Sequence, residues 1–246
     1  MIKIITILTK FVVAFLVAIL FSACKYDIDL GNDIEGNENI TTETRTITED
    51  FKSIEVSTGI EVTIEQSNTK SVTVITDSNL QEIINTTVEN GVLVIHPSES
   101  YDASQAPKII IKMPVIEALE ASSGSEIRST NTLKGTNISI VTSSAAEVNV
   151  NIEFENITLG ASSGSSITAN GKAIKLETSA SSGSEISAKD LFANEVIADA
   201  SSGAEIIVRP ILSLNAEASS GADINYNTHP KKTQKKISSG GSIDKE

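Results

Sequence analysis

The chain has 246 residues, enough for one elongated domain, with no Trp and only 4% aromatic residues. Its 19 basic and 32 acidic residues give a formal net charge of −13, which argues against nucleic acid as a partner and against electrostatic docking on anionic lipid. A single Cys excludes an intramolecular disulfide, and no motif predicts a cofactor.

The first 24 residues have the pattern of a bacterial lipoprotein signal. Lys3 and Lys10 precede an apolar run over residues 11–21, which is short for a membrane-spanning helix. The sequence LFSAC, ending at Cys24, resembles the lipobox, in which the Cys carries the lipid and becomes the mature N-terminus. We predict a signal peptide over residues 1–23 and attachment to a membrane through a lipid on Cys24.

Residues 24–50 begin with a polar, acidic, Gly- and Asn-rich stretch, which predicts a flexible tether. Acidic residues close behind a lipidated Cys resemble the signals that send Bacteroidetes lipoproteins to the outer surface. We therefore expect an outer-membrane lipoprotein. The sequence leaves open whether it faces the periplasm or the cell exterior.

Residues 51–113 have an irregular β pattern, with alternating apolar positions and an Asn-Gly turn at 90–91. We interpret them as the first, less regular part of the domain, with a short helical turn at 80–84. Strands are predicted at residues 53–56, 60–65, 72–76, 92–95 and 109–113.

From residue 115 onwards, variants of the phrase ASSGSEI recur every 18 to 21 residues. Copies begin at residues 121, 142, 161, 180, 200, 218 and 237. An outlying copy, IEVSTGIEV over residues 54–62, lies 65 residues upstream of the first regular one, or about three periods. A fixed period of this length indicates a repeat architecture.

The segments between the copies alternate apolar and polar residues, as short strands do. They lack the leucine pattern of leucine-rich repeats and the helix formers of helical repeats. We predict an all-β, single-stranded, right-handed parallel β-helix with coils of about 19–20 residues stacked about 4.8 Å apart. The domain covers residues 51–243, with regular repeats over 115–243.

One position is acidic in five of the seven copies and Ser in the other two; every copy places a small residue before it and a β-branched residue after it. In the copy at 200–206, Ala204 and Ile206 flank Glu205. Alternation predicts that the small and branched residues face the core and that the acid faces outwards. The same alternation predicts that the second Ser, here Ser202, faces inwards.

The stretch FKSIEVSTGIEVTIEQSNTKSVTVITDSNLQEIINTTVENGVLVI from residue 51, followed by KIIIKMP and the repeated ASSGSEI, resembles the auto-transporter adhesin family with the head GIN domain. The resemblance covers about residues 51–243. It implies a β-solenoid, export or lipid anchoring as in Bacteroidetes members, and an adhesive surface role with no established activity.

Two functions remain open at this point. The first is a non-catalytic surface scaffold or adhesin-like binding module for an extracellular or envelope protein or glycan. The second is a glycan-active enzyme, resembling the polysaccharide lyases and hydrolases built on β-helices, which need clustered Asp with Arg or Lys. We favour the first, because the basic residues of the coils fall at different coil positions: Arg128, Lys134, Lys172, Lys175, Lys189 and Arg209.

The other side chains that an enzyme or a glycan site would use are few. His96 and His229 each stand beside a Pro, which predicts loop positions, and no Ser-His-Asp spacing or His cluster is present. Phe154 and Phe192 follow similar coil positions and are predicted to lie in the core.

A candidate metal site is the outward acidic column. Glu185, Glu205 and Asp223 fall on three consecutive coils, roughly 4.8 Å apart, and like charges so close attract a hard cation such as Ca²⁺. The sequence departs from the Ca²⁺-binding nonapeptide repeat in both period and acid position. We favour a solvated acidic ladder that keeps the solenoid soluble.

Near the C-terminus the regular pattern stops at residues 227–230. Four lysines then precede the last copy: Lys231, Lys232, Lys235 and Lys236. We interpret them as a guard that keeps the terminal coil from stacking on a second molecule. A binding patch for an acidic partner is the alternative.

Overall fold

The computed structural model describes residues 33–246. Their nineteen strands are β1 Ile34–Glu35, β2 Ile40–Arg45, β3 Ser53–Val56, β4 Glu61–Gln66, β5 Ser71–Asp77, β6 Ile84–Glu89, β7 Val92–Pro97, β8 Tyr101–Asp102, β9 Lys108–Met113, β10 Ala118–Ala121, β11 Glu126–Ser129, β12 Leu133–Thr142, β13 Glu147–Ala161, β14 Ser166–Ala180, β15 Glu185–Ala200, β16 Glu205–Ala218, β17 Asp223–Tyr226, β18 Lys232–Ile237 and β19 Ser242–Lys245. This range contains no helix long and apolar enough to cross a bilayer. The predicted signal peptide and Cys24 lie outside it.

The predicted parallel β-solenoid is confirmed. Coils of about 19 residues stack in about seven turns, and each regular coil pairs with the next in parallel register. Ile186 pairs with Ile206, and Ile206 pairs with Ile224. Because every strand lies beside the same segment of the next coil, one outward position becomes a column of side chains along the whole solenoid.

The SSG phrase forms the corner of each coil. In one copy Ser182 and Gly183 have φ of 55° and 68°, and the N–H of Ser184 donates to the carbonyl of Ser181 at 3.3 Å. Two left-handed residues closed by this bond are a type I′ turn, which favours Gly. Gly183 N–H donates to Ser202 O of the next coil at 3.1 Å, so hydrogen bonding between coils continues through the corner.

This turn makes one prediction wrong. The second Ser of the phrase, such as Ser202, is exposed rather than inward, because three turn residues stand between the inward Ala200 and the inward Ala204. The remaining parity is confirmed. Ile186, Ile206 and Ile224 are fully buried in one stack.

Small polar residues in the core are satisfied within the corner. Ser184 is 2% exposed; its Oγ donates to Ala161 O at 2.9 Å and accepts from Ser181 N–H at 3.1 Å. A buried hydroxyl is tolerated only when it is hydrogen-bonded. The position before the acid therefore accepts Ser as readily as Ala.

A second corner lies opposite the SSG turn. There the burial alternation is interrupted by two adjacent residues that are not buried, at 155–156, 174–175 and 194–195. The chain bends here, because buried residues on both sides of the interruption still face one core. Phe154 is buried beside this corner, as predicted, but Phe192 is 42% exposed.

The prediction for Phe192 is wrong because the register of β15 shifts. Irregular pairing between β14 and β15 aligns Phe192 with the outward Lys172, whereas Phe154 aligns with Ala173. An additional residue in one strand moves the following side chains to the other face.

The N-terminal region does not stack in sequence order. The coil of β3 and β4 lies between β10–β11 on one side and β7 and β9 on the other. Val56 pairs directly with Ala121, and Val62 pairs with Ile127. The 65-residue separation of these copies is therefore a single coil step and not three periods.

Antiparallel strands close this end of the solenoid. β6 pairs with β7, β5 pairs with β9, and β2 pairs with β5, all antiparallel. The predicted strands of this region are confirmed, and 80–84 is a turn in which Ile84 N–H donates to Leu80 O. The tether predicted over 24–50 is wrong at two places. Ile34–Glu35 pairs with β8, and the Thr-rich, β-favouring sequence of Ile40–Arg45 forms a strand of the domain.

At the other end the parallel pattern continues to the last residues. β18 pairs with β16, and β19 pairs with β17. All six residues of β18 are exposed. The interruption at residues 227–230 is a loop within the last coil rather than the end of the solenoid.

Candidate functional site

The outward acidic column exists as a register of neighbouring strands. Glu185 pairs with Glu205, and Glu205 pairs with Asp223. The same column continues to both sides through Glu61, Glu126, Glu147, Ser166 and Ser242. All of these side chains are outward, as the alternation predicted.

The contacts of this column are those of a solvated surface. Arg128 forms ion pairs with Glu126 and with Glu147, the latter at 3.8 Å, and Ser242 Oγ donates to Asp223 at 2.6 Å. Within residues 33–246, no group of three or more His, Cys, Asp or Glu side chains is arranged to hold a metal ion. Calcium binding by the column stays a prediction.

A second acidic column, which sequence reasoning missed, runs along the other side of the SSG corner. Ser179, Asp199, Glu217 and Lys236 are register partners on four successive coils. Ser179, Asp199 and Glu217 line a depression of about 340 Å³. Burial raises the pKa of Asp199, and nearby Glu217 raises it further, while Lys236 opposes the shift. The sequence signal was an acid two residues before the SSG phrase in both coils.

The prediction that the basic residues occupy unrelated positions is wrong for three of them. Lys134, Lys172 and Arg209 belong to one column beside the second corner, together with Glu153 and Phe192. The register shifts of β15 hid the alignment of Arg209 with Lys172. The guanidinium of Arg209 lies 4.1 Å from the centre of the Phe192 ring, which is cation–π distance.

The histidines contribute no catalytic arrangement in the described part of the chain. His96 lies in β7, so its predicted loop position is wrong, and its Nδ1 donates to Pro97 O at 2.9 Å. His229 lies between strands, as predicted, and its Nε2 accepts from Lys245 Nζ at 2.5 Å. Neither ring is hydrogen-bonded to a serine or a carboxylate there.

A cleft of about 600 Å³ opens where the first regular coils meet the N-terminal region. Its cause is a missing strand. Residues 133–137 of β12 pair with β13 on one side, and in the described range no strand covers their other edge. The cleft is lined by Gln66, Pro114, Val115, Ile116, Glu117, Lys134, Gly135, Thr136, Asn137, Ile138, Ser139, Phe154, Asn156 and Thr158.

The side chain of Gln66 takes the place of the missing strand. Its Nε2 donates to Lys134 O at 2.9 Å and to Pro114 O at 3.0 Å, and its Oε1 accepts from Lys134 N–H at 2.7 Å. One side-chain amide therefore pairs with both backbone groups of Lys134 on the uncovered edge of β12 and connects this edge to Pro114. Because Gln66 and Lys134 are 68 residues apart, this contact could not be predicted from local sequence patterns.

Uncharged polar groups lie along one wall of the cleft. Asn137 and Asn156 are exposed register partners, and Asn156 Nδ2 donates to Asn137 Oδ1 at 2.9 Å. Ser139 and Thr158 are register partners two residues further along the same strands. In sequence these residues looked like ordinary outward polar positions.

Comparison with known proteins identifies the same family that the sequence resembles. The family model described as "Putative auto-transporter adhesin, head GIN domain" matches residues 50–230. No curated protein matches the chain in sequence.

Several solved structures share the fold. A "putative adhesin" from Bacteroides fragilis superposes with a TM-score of 0.81 at 17% identity, over 87% of this chain and 100% of that one. A "putative lipid binding protein" from Parabacteroides distasonis gives 0.73 at 23% identity, over 87% and 99%. A "putative adhesin" from Parabacteroides merdae gives 0.72 at 19% identity, over 87% and 99%. At these identities the likeness establishes the fold alone.

Proposed function

Since the chain belongs to the auto-transporter adhesin family with the head GIN domain, we propose that it is an exported, non-catalytic, adhesin-like binding module of the cell envelope. A lipid on Cys24 attaches it to the outer membrane. The solenoid binds an extracellular or envelope protein or glycan. The ligand is held by the outward columns and by the cleft at the first regular coils.

The observation that supports this proposal most is the regular register of the outward positions. Residues such as Glu185 and Glu205 recur at one place on successive coils. A catalytic centre needs a unique set of groups at one place, whereas repeated columns offer an extended surface for many similar contacts.

A glycan-active enzyme is the second candidate, and one observation favours it. Asp199 and Glu217 are neighbours in a surface depression, and burial raises the pKa of Asp199. A carboxyl group with a raised pKa beside a second carboxyl group is a usual arrangement of a general acid in glycoside hydrolysis. Release of reducing sugar from a polysaccharide by the native chain, lost in Asp199→Asn, would establish this candidate and overturn the non-catalytic proposal.

Cell fractionation tests the anchor. Cys24→Ser should move the chain from the membrane fraction to the soluble fraction. Detergent partitioning that does not change in this variant would show that Cys24 carries no lipid.

Adhesion assays test the binding role. Cells that carry the chain should lose part of it to external protease. They should also adhere to mucin or extracellular-matrix coatings better than cells that lack the chain. Equal adherence to every coating would contradict an adhesive function.

A further inference from the structure

The cleft at the first regular coils has features that select one class of ligand. We infer that it is a binding site for a neutral glycan, with Asn137 and Asn156 as its recognition pair. This inference rests on the proposed adhesin-like function and assigns that function a site and a ligand chemistry.

The amide pair presents both a donor and an acceptor. The bond from Asn156 Nδ2 to Asn137 Oδ1 fixes the two side chains against each other. Among residues 33–246, Asn137 Nδ2 donates no hydrogen bond and Asn156 Oδ1 accepts none. A primary amide nitrogen has two donors, and an amide oxygen has two acceptor positions. Sugar hydroxyls donate and accept at once, so adjacent hydroxyls on one ring match adjacent amide groups on neighbouring strands.

Other residues of the cleft add groups that a sugar ring can contact. Ser139 and Thr158 place hydroxyls beside the amides along the same two strands. On the opposite wall Val115 is 44% exposed, and it offers an apolar surface to the C–H face of a sugar ring. Binding sites that combine an apolar surface with a few fixed polar groups are typical of small-ligand recognition.

The charges of the cleft favour a neutral ligand. Its lining contains one cation and one anion, and both are neutralised by partners outside the cleft. Lys134 Nζ lies 2.9 Å from Glu153, and Glu117 lies 2.8 Å from Lys52 Nζ. An anionic glycan would meet no unpaired cation here, and it would approach a chain whose net charge is −13.

The walls are fixed before a ligand arrives. Gln66 joins β12 to the 114–117 segment through three hydrogen bonds. A Cβ at Gly135 would lie 2.6 Å from the Phe154 ring, so this glycine lets the ring pack beneath the cleft. A preorganised site loses less conformational entropy on binding.

A glycan array probed with the detergent-purified full chain tests the inference. The array carries neutral hexose and N-acetylhexosamine oligosaccharides beside uronate, sulfated and sialylated ones. We expect binding to at least one neutral glycan. The double variant Asn137→Ala/Asn156→Ala should weaken that binding at least tenfold, and Thr136→Trp should also reduce it by filling the cleft.

The chain offers a matched control. Asn151 and Asn170 are also register partners on neighbouring strands, but they do not line the cleft. Asn151→Ala/Asn170→Ala should leave glycan binding unchanged, and circular dichroism should show the same fold in all variants.

Three outcomes would overturn the inference: binding to anionic glycans alone, neutral-glycan binding that survives both cleft variants, or no glycan binding. In the last case, adhesion to a protein coating would still leave the proposed adhesin-like function in place. If the chain bound no glycan and mediated no adhesion, both the glycan site and the adhesin-like function would be rejected.

Discussion

At its N-terminal end the solenoid finishes in antiparallel strands, whereas at its C-terminal end it finishes in exposed parallel ones. β5 and β6 cover the edges of β9 and β7, and β2 is added to β5. At the other end β18 and β19 are the last parallel strands; β18 pairs with β16 and β19 with β17, and no other strand in residues 33–246 pairs with them. An uncovered edge presents free N–H and C=O groups to any passing strand.

At the C-terminal end we expect charge to protect the edge instead. Lys235 occupies an inward register position, opposite the buried Ala216. Its Nζ lies 4.8 Å from the centre of the Tyr226 ring and donates to Ile243 O at 2.8 Å. Lys236 pairs with Glu217 at 2.6 Å. An inward-pointing charge on an edge strand hinders further stacking, so we expect that strand pairing protects one end and charge protects the other.

The largest effect is expected from the same substitution made at both ends. Ile109 is fully buried and lies between β4 and β5, while Ile243 is 3% exposed and pairs with β17 only. Ile109→Asp should lower the free energy of unfolding by several kcal/mol, because it buries an unpaired charge. Ile243→Asp should cost about 1–2 kcal/mol, because the last coil can fray alone.

Urea denaturation followed by circular dichroism measures both values. Hydrogen exchange should show that Ile243→Asp exposes only the last coil. Equal losses in the two variants would mean that the ends are equally fixed and would remove the contrast between them.

The next prediction concerns the lysines of the open end. Changing Lys231, Lys232, Lys235 and Lys236 to Ser should promote end-to-end association of residues 33–246 while the fold stays intact. The physical reason is the loss of both the inward charge and the like-charge repulsion between two C-terminal ends. Light scattering at rising protein concentration measures the association.

A matched variant controls for the change in net charge. Changing Lys52, Lys108, Lys112 and Lys134 to Ser removes the same number of charges away from the C-terminal end. It should remain as monomeric as the parent. If the C-terminal variant also remains monomeric, the lysines do not guard the edge, and the alternative of an acidic partner gains support.

A smaller effect is expected at the corner that runs between the two ends. Ala145 has φ of 61° at a position where the other turns have Gly. A side chain in the left-handed region costs about 1–2 kcal/mol, and the entropy of Gly in the unfolded chain offsets part of this. Ala145→Gly should therefore raise stability by about 0.5–1 kcal/mol without changing either end.

Thermal denaturation measures this gain, and Gly183→Ala is the reverse control. A Cβ at Gly183 would meet no atom within 4 Å, so its cost comes from the backbone alone. If Ala145→Gly destabilised the chain, the contacts of the Ala side chain would stabilise the fold by more than its left-handed backbone costs.

The smallest effect concerns Asp199, whose column reaches the open end at Lys236. Burial and Glu217 raise the pKa of Asp199 above its ordinary 3.8. The folded state therefore holds the proton more tightly, and the ionised carboxylate destabilises the fold as pH rises through the raised pKa. Asp199→Asn should stabilise the chain at neutral pH by about 0.5 kcal/mol or less, since solvent screens the site.

This gain should disappear below pH 3.8, where Asp199 is protonated in both folded and unfolded states. Paired urea titrations at neutral and acidic pH measure the difference. Glu205→Gln, in the other acidic column, is the comparison. A gain for Asp199→Asn that does not change with pH would contradict the assignment.

Much of the regular region could be predicted because its information is local. Two-residue alternation identifies the inward Ile186 and Ile206 from their immediate neighbours, and the period places Glu185 beside Glu205 once coils are assumed to stack. The exposed second Ser could not be predicted by alternation, since the left-handed turn interrupts it. Phe192 was misplaced for a related reason, because a bulge in β15 changes the register.

The candidate sites were less accessible to sequence reasoning. The acidic column was found because its spacing equals the period. The cleft was missed because Gln66 meets Lys134 across 68 residues, and nothing in either neighbourhood marks that meeting. Asn137 and Asn156 resemble any outward polar pair until the edge of β12 is seen to be uncovered.

The sequence by itself determined the repeated unit: a β coil with a small and branched inward side and an outward side that is acidic in most copies. Those features follow from backbone geometry and alternation within about twenty residues. Only the tertiary structure decided the order in which coils stack, the insertion of β3 and β4 between later strands, and the closure of each end. These depend on hydrogen bonds between strands far apart in sequence, and many partners of similar β propensity could have formed such bonds.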